Sequence, residues 1–142
     1  MGPLPLRGAA MWMGLTEVVY KIRSQHYPLC QYTERNPAAK VLMSQTAYEP
    51  DSKVARFLVT LAGPEQPTRE LLQLFDKLFD RHEVARTAKD VVSLKCAAGL
   101  ERLRDSNSPA AFALEYFGDT AMVQPSVIKQ GYWHARLTRR TC

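Results

Sequence analysis

A strand–turn–helix unit spanning Val54–Arg81 constrains the fold of this chain more than any other part of the sequence. Residues Val54–Leu61 are rich in β-branched and apolar side chains and predict a strand. Gly63-Pro64 ends that strand, and Pro67 suits the first turn of a helix, where its missing N–H costs no hydrogen bond. A strand followed this closely by a helix predicts that the helix packs back onto a sheet.

The helix of this unit is predicted to run to about Arg81 and to be amphipathic. Its apolar side chains recur at the i, i+3, i+4, i+7, i+8 spacing of one helix face, while charged and amide side chains occupy the other face. The apolar stripe consists of Leu71, Leu74, Phe75, Leu78 and Phe79. Burial of such a stripe predicts that this unit is the centre of the folded domain.

The rest of the chain supplies weaker secondary-structure signals. Ala39–Ala47 predicts a strand that pairs with Val54–Leu61 as a β-hairpin, because the residues between them have turn chemistry. Met11–Ser24 fits either a strand or a helix. The remaining predictions are an irregular segment at Gln25–Pro37, a short strand or turn at Val84–Lys89, a helix at Val91–Arg104 and a short helix at Ala110–Phe117.

These elements predict a single α+β domain with a small sheet that carries helices on one face. The 142 residues correspond to one domain, and 46% hydrophobic residues suffice for a core. The predicted organisation is an N-terminal arm at 1–14, the α+β domain at 15–117 and a basic, extended C-terminal arm at 118–142. The arms are predicted from proline and glycine content.

The formal net charge of +5 favours an anionic partner, either nucleic acid or an acidic protein surface. The alternative is a modest charge excess that serves solubility. The charge is unevenly distributed, because Ala121–Cys142 contains four basic residues and no acidic residue, with Tyr132 and Trp133 interleaved. This distribution favours contact between the C-terminal segment and an anion.

The sequence contains no recognisable catalytic, metal or cofactor motif, which favours a non-enzymatic protein without a cofactor. Its three histidines have no metal-ligand spacing, and its seven glycines do not form a phosphate-binding loop. Cys96 is interpreted as a small core residue rather than a nucleophile. Cys30 and His26 are four residues apart, but the intervening Tyr27-Pro28 argues against a shared helix face.

The cysteine pattern and the N-terminal residues bear on the cellular compartment. Three widely spaced cysteines and no C-x-x-C favour a reducing environment. The first 16 residues contain Arg7, no acidic residue and apolar side chains, which fits either a mitochondrial import signal or a plain N-terminal arm. No apolar run approaches the roughly 18 residues of a transmembrane helix, so no membrane span is predicted.

Basic and aromatic side chains are the candidate binding residues. Arginine and lysine neutralise phosphates, and Tyr132 and Trp133 are of the type that stacks on bases. The alternative is that the charges are dispersed over the surface and that the aromatic residues dock the C-terminal arm. The candidate RNA-binding residues are Arg35, Lys53, Arg56, Arg86, Tyr132, Trp133, Arg136, Arg139 and Arg140.

Part of the sequence resembles a known ribosomal family. Arg35 with Pro37-Ala38-Ala39, the strand Arg56–Leu61, the turn Gly63-Pro64, the helix that ends near Phe79 and the segment Glu83–Thr87 follow one another in its order. In this order the segment is similar to the ribosomal small-subunit protein six family. The resemblance implies a ferredoxin-like fold that binds ribosomal RNA beside another small ribosomal protein, and a long C-terminal extension fits the mitochondrial form.

A second resemblance gives an alternative function. Asn36-Pro37 before the strand at Val41, with the hairpin after it, is similar to the thioredoxin-like module of some mitochondrial ribosomal proteins and of a complex I accessory subunit. We therefore expect a structural subunit of the mitochondrial small ribosomal subunit, or alternatively an accessory subunit of a respiratory-chain complex. Either expectation implies partners in a large assembly, no small-molecule substrate, and a location in the mitochondrial matrix or at the matrix face of the inner membrane.

Overall fold

The computed structural model describes residues 15–23, 25–88, 90–117 and 121–140. They form four helices and seven strands, which we number in chain order. The strands are β1 Leu15–Ile22, β2 Lys40–Glu49, β3 Val54–Ala62, β4 Arg81–Ala88, β5 Val91–Gly99, β6 Ala121–Lys129 and β7 Tyr132–Arg140. The helices are α1 Pro28–Arg35, α2 Glu65–Leu78, α3 Leu100–Asp105 and α4 Pro109–Phe117.

All seven strands belong to one antiparallel sheet with the order β1-β7-β6-β2-β3-β5-β4. The prediction of an α+β domain is confirmed at this level. A ferredoxin-like arrangement is not confirmed, because the sheet is larger than that fold provides. The first and last described strands are neighbours, since β1 pairs with β7 along its whole length.

The described helices all cover one face of the sheet, and the other face, which carries exposed side chains, is called the open face. Side chains alternate along each central strand, so that Phe57, Val59 and Leu61 of β3 are buried while the intervening Leu58 is 44% exposed. Leu71 and Phe75 of α2 are fully buried and supply the apolar side of the helix layer. The core therefore lies between the helix layer and one face of the sheet.

The central hairpin and its following helix form as predicted. Strands β2 and β3 pair antiparallel, and the register shifts between Gln45 and Ala47, which leaves Thr46 as the extra residue of a β-bulge. Helix α2 begins at Glu65, two residues before Pro67, and ends at Leu78 rather than near Arg81. Phe79 is already extended, and its ring stacks on that of Phe75 at 5.0 Å between centroids.

The segment predicted to be irregular, Gln25–Pro37, contains helix α1. Pro28 is the first residue of this helix, a position at which its fixed φ and missing N–H are tolerated. Cys30 is therefore helical and buried, whereas His26 precedes the helix and is exposed, so the two do not form a site. Thr33, fully buried in α1, donates from its hydroxyl to the carbonyl oxygen of Leu29 at 2.9 Å.

The helix predicted at Val91–Arg104 is wrong for its first nine residues. Val91–Gly99 is strand β5, which lies between β3 and β4 and buries Val92, Leu94, Cys96 and Ala98 on the helix-covered face. The apolar residues of this segment match both helical and alternating patterns, and pairing with two neighbouring strands selects the strand. Of the short strand or turn predicted at Val84–Lys89, the residues up to Ala88 form part of β4, and Lys89 lies outside the described residues.

The prediction of an extended C-terminal arm at 118–142 is also wrong, because β6 and β7 form a hairpin within the sheet. Gln130 and Gly131 connect the strands with positive φ values of 53° and 87°, as a two-residue hairpin turn requires. Pro125 lies where the register shifts between Gln124 and Val127, so the proline is accommodated at a bulge. The domain therefore extends well beyond residue 117.

Strand β1 resolves the ambiguity at Met11–Ser24 in favour of a strand. The predicted N-terminal arm at 1–14 lies outside the described residues. Among the helices that the structure describes, none has the length and apolar character needed to cross a membrane.

Candidate nucleic-acid interface on the open face of the sheet

A group of basic side chains lies on the open face at one end of the sheet, and we call it the cationic patch. Its members come from four adjacent strands, β1, β7, β6 and β2. Cross-strand pairing places Lys21 opposite His134 and Lys129 opposite Lys40, while Arg136 is two residues beyond His134 on the same side of β7. The cationic patch is Lys21, Lys40, Lys129, His134 and Arg136.

Two lysines form the centre of the cationic patch. Lys40 of β2 and Lys129 of β6 are direct cross-strand partners. Neither forms an ion pair with any carboxylate in the part of the chain that the structure describes. Like charges directly opposite each other destabilise a sheet, so this pairing carries a cost that an anion over the two ammonium groups would offset.

Tyr132 borders the cationic patch and holds two cations beside it. Its backbone is opposite Lys129, and the Nζ atom of Lys21 lies 4.5 Å from the centroid of its ring. The guanidinium carbon of Arg23 lies 5.8 Å from the same centroid, and Arg23 also forms an ion pair with Glu34 of α1. The ring therefore positions positive charge through cation–π contacts.

The electrostatic character of the cationic patch is visible at His134. Partial burial lowers the pKa of this imidazole, and the nearby positive charges of Lys129 and Lys21 lower it further. Each of these effects disfavours the protonated, positively charged form of the His134 imidazole. A negative group placed over the cationic patch would offset the nearby positive charges and so raise the pKa of His134.

The arginines outside the cationic patch are largely neutralised by carboxylates. Arg56 contacts the Oε2 atom of Glu49 through Nη2 at 3.0 Å and Nε at 3.1 Å, which lowers the pKa of Glu49. Three further arginines are paired in the helix layer, Arg69 with Glu65, Arg102 with Asp80 and Arg104 with Glu115. Among the described residues, these arginines of α2 and α3 are therefore paired with carboxylates, whereas Lys40 and Lys129 on the open face form no ion pair.

The residues predicted from sequence as RNA contacts are dispersed over the structure. Arg35 is exposed at the end of α1, Lys53 is exposed in the β2–β3 turn with a φ of 56°, and Arg56 is on the open face in its pair with Glu49. Of the nine candidates, the structure places Arg136 within the cationic patch and Tyr132 beside it. Arg86, Arg139 and Arg140 are in β4 and β7, but their side chains lie outside the description.

Trp133 corrects the sequence-based prediction of base stacking. Its side chain is 1% exposed and points into the core, where its ring stacks on Tyr27 at 6.2 Å between centroids. The indole N–H is buried without a hydrogen-bond partner in the part of the chain that the structure describes. A base would have to displace the core to reach this ring, so Trp133 is a packing residue.

One sequence pattern indicates part of the cationic patch, although the segment that contains it was predicted to be an extended C-terminal arm. In Tyr132–Arg136, large or apolar residues alternate with polar ones, which is the pattern of a strand with one buried face. That alternation places His134 and Arg136 on the same side. The contribution of Lys40 and Lys21 depends on the pairing of β2 with β6 and of β1 with β7, which no local pattern specifies.

The described residues contain no group of three or more His, Cys, Asp or Glu side chains arranged to hold a metal ion. Burial raises the pKa of the Cys96 thiol to about 12, which keeps this cysteine in its unreactive, protonated form.

Comparison with protein-family models, curated proteins and solved structures finds no match to this chain.

Proposed function

We propose that this protein is a non-catalytic RNA-binding subunit of a larger assembly, and that the cationic patch holds the phosphate backbone. The observation that carries the proposal is the direct pairing of Lys40 with Lys129 on an open sheet face, with Lys21, His134 and Arg136 around them. RNA phosphates supply the repeated negative charge that such a surface binds. The sequence resemblance to a ribosomal family makes the mitochondrial small ribosomal subunit the proposed assembly.

The open face also supports a second candidate function as a protein-held accessory subunit. Leu42 and Leu58 are 41% and 44% exposed near its middle, and Val19 is 66% exposed on the edge strand β1. Exposed apolar side chains on one face are typical of a surface that contacts another protein. Co-sedimentation of the full chain with a ribosomal particle or with a membrane complex separates the two functions.

The proposal is tested by the salt dependence of RNA affinity, measured by fluorescence anisotropy with a short single-stranded RNA. Each phosphate neutralised by a lysine contributes about −0.7 to the slope of log affinity against log salt for a single strand. The double variant Lys40→Met and Lys129→Met should therefore make the slope about 1.4 units shallower. Its affinity at low salt should fall by about tenfold or more.

The matched control is Arg69→Met with Lys77→Met, which removes the same charge from the exposed side of α2. It should leave the slope close to that of the unmodified chain. An equal reduction in both double variants would mean that net charge, and not the cationic patch, binds RNA. Absence of RNA binding by the unmodified chain at low salt would contradict the proposed RNA-binding function.

A further inference from the structure

A cavity of about 320 Å³ opens on the same sheet face, at the opposite end from the cationic patch. It is bordered by strands β2, β3, β5 and β4. Thr46, the extra residue of the β-bulge in β2, lies at one side of the cavity. Bulges bend a strand locally and are common beside functional sites.

The lining of the cavity combines apolar surface with two positive groups and one negative group. Leu58 and Ala97 supply apolar atoms, and the cross-strand pair of Lys95 and Glu83 supplies one charge of each sign. Lys95 and Glu83 form no ion pair, either with each other or with another described residue. A donor and an acceptor are therefore available side by side next to an apolar floor.

Arg56 also borders the cavity, but its charge is already engaged. Its guanidinium contacts the carboxylate of Glu49 at 3.0 and 3.1 Å. The cavity is therefore close to electrically balanced and does not favour a bare phosphate. Its chemistry suits a flat, neutral molecule whose edge carries both hydrogen-bond donors and an acceptor.

We propose that the cavity binds an unpaired guanine base of the RNA that the cationic patch holds. The Watson–Crick edge of guanine carries two adjacent N–H donors beside a carbonyl acceptor. The two oxygens of the Glu83 carboxylate accept from both donors, and the Lys95 ammonium donates to the carbonyl. The face of the base packs on Leu58 and Ala97, and the volume is sufficient for one base.

This geometry selects single-stranded RNA, because base pairing in a duplex occupies the same edge of guanine. Thr46 is six positions along β2 from Lys40, which corresponds to roughly 20 Å along the strand. One extended RNA strand can therefore place phosphates at the cationic patch and a base in the cavity. The inference rests on the proposed RNA-binding function and adds a base preference to it.

The test compares single-stranded RNAs of about ten nucleotides by fluorescence anisotropy at one salt concentration. The probes are all-uridine RNA, the same RNA with one central guanosine, and the same RNA with inosine at that position. Inosine lacks the exocyclic amino group and so loses one of the two donors to Glu83. The guanosine RNA should bind at least about fivefold more tightly than both others, and annealing to its complement should abolish the preference.

The variant Glu83→Gln should reduce the guanosine preference to less than about twofold while leaving the salt slope unchanged. Lys95→Met should also reduce the preference. The matched control Glu101→Gln, in the helix layer, should retain it. The replaced side chains are exposed, so far-ultraviolet circular dichroism should show unchanged folding for all three variants.

The two proposals fail in different ways. If the unmodified chain binds no RNA at low salt, the RNA-binding function fails and the base preference fails with it. If the chain binds RNA with the expected salt slope but guanosine, inosine and uridine RNAs bind equally, only the guanine site is overturned. Equal effects of Glu83→Gln and Glu101→Gln would likewise overturn the guanine site alone.

Discussion

The two sides of strand β7 differ in what their side chains do. Trp133 and Ala135 face the helices and are buried, whereas Tyr132, His134 and Arg136 face the open side and belong to or border the cationic patch. On the inward side, the ring of Trp133 stacks on that of Tyr27, while on the outward side Lys21 and Arg23 lie at the ring of Tyr132, and the charges of Lys129 and Lys21 act on His134. One strand therefore contributes packing on one side and charge on the other.

Replacement of adjacent residues of similar type in this strand therefore has different consequences. A buried side chain is constrained by volume, because its removal leaves a cavity that the neighbouring residues only partly fill. Replacement of an exposed side chain on the open face changes the free energy of unfolding only slightly. The chemistry of the open face can therefore be varied with little loss of stability.

The largest difference in stability is expected between variants of the two neighbouring aromatic residues of β7. Trp133→Ala should lower the free energy of unfolding by about 3–5 kcal/mol, because it removes a fully buried ring. Tyr132→Ala should change it by less than about 1 kcal/mol, since the ring is partly exposed. Chemical denaturation of both variants measures the contrast.

Trp133→Phe serves as the control for this pair. It keeps most of the apolar volume and removes an indole N–H that has no hydrogen-bond partner among the described residues. The loss should therefore be clearly smaller than that of Trp133→Ala. Equal losses for Trp133→Ala and Tyr132→Ala would contradict the assignment of the two sides.

A smaller effect is expected at the turn that sets the register of β6 and β7. A one-residue slip would exchange the inward and outward side chains, so the contrast depends on this turn. Gly131 has a φ of 87°, and a Cβ there would lie 3.1 Å from the Cβ of Glu34. Gly131→Ala should therefore lower the free energy of unfolding by about 1–2 kcal/mol.

Gly99→Ala is the matched control for Gly131→Ala. Gly99 has an ordinary φ of −72°, and a Cβ there would lie 3.9 Å from its nearest neighbour, the carbonyl oxygen of Lys53. Its replacement should change the free energy of unfolding by no more than about 0.5 kcal/mol. Thermal or chemical unfolding of both variants measures the difference, and equal losses would show that the turn does not require glycine.

The parts of the fold that the sequence predicted are those with strong local signals. The β2–β3 hairpin and α2 were predictable because strand composition, turn residues and a helical apolar stripe agree within one continuous segment. Strand β5 was not, because its apolar residues fit two periodicities and the choice is made by pairing with β3 and β4. Helix α1 was missed because Pro28 acts as a helix start rather than a breaker.

The candidate site was less predictable than the fold for a physical reason. Lys21, Lys40 and Lys129 are far apart in sequence and are brought together by strand order, which depends on long-range pairing. Gln130-Gly131 is also a weaker hairpin signal than Asn-Gly, and Pro125 suggested an extended arm. Correct assignment of the β6–β7 hairpin would have predicted that His134 and Arg136 share a face and that Trp133 is buried.

The titration of His134 follows from the same electrostatic setting. Its lowered pKa means that the unfolded chain binds a proton more readily than the folded chain. This imidazole therefore contributes stability above its ordinary pKa of 6.5, and that contribution is lost as the pH falls toward the folded pKa. Phosphates bound over the cationic patch should favour the protonated form and so raise the pKa.

Whether RNA lies on the cationic patch is decided by the pKa of the His134 imidazole, measured by NMR with and without saturating single-stranded RNA at low salt. The free protein should give a value below 6.5, and bound RNA should raise it. Added salt that releases the RNA should reverse the increase. RNA that is bound in the same sample while the pKa of His134 stays unchanged would contradict the placement of RNA on the cationic patch.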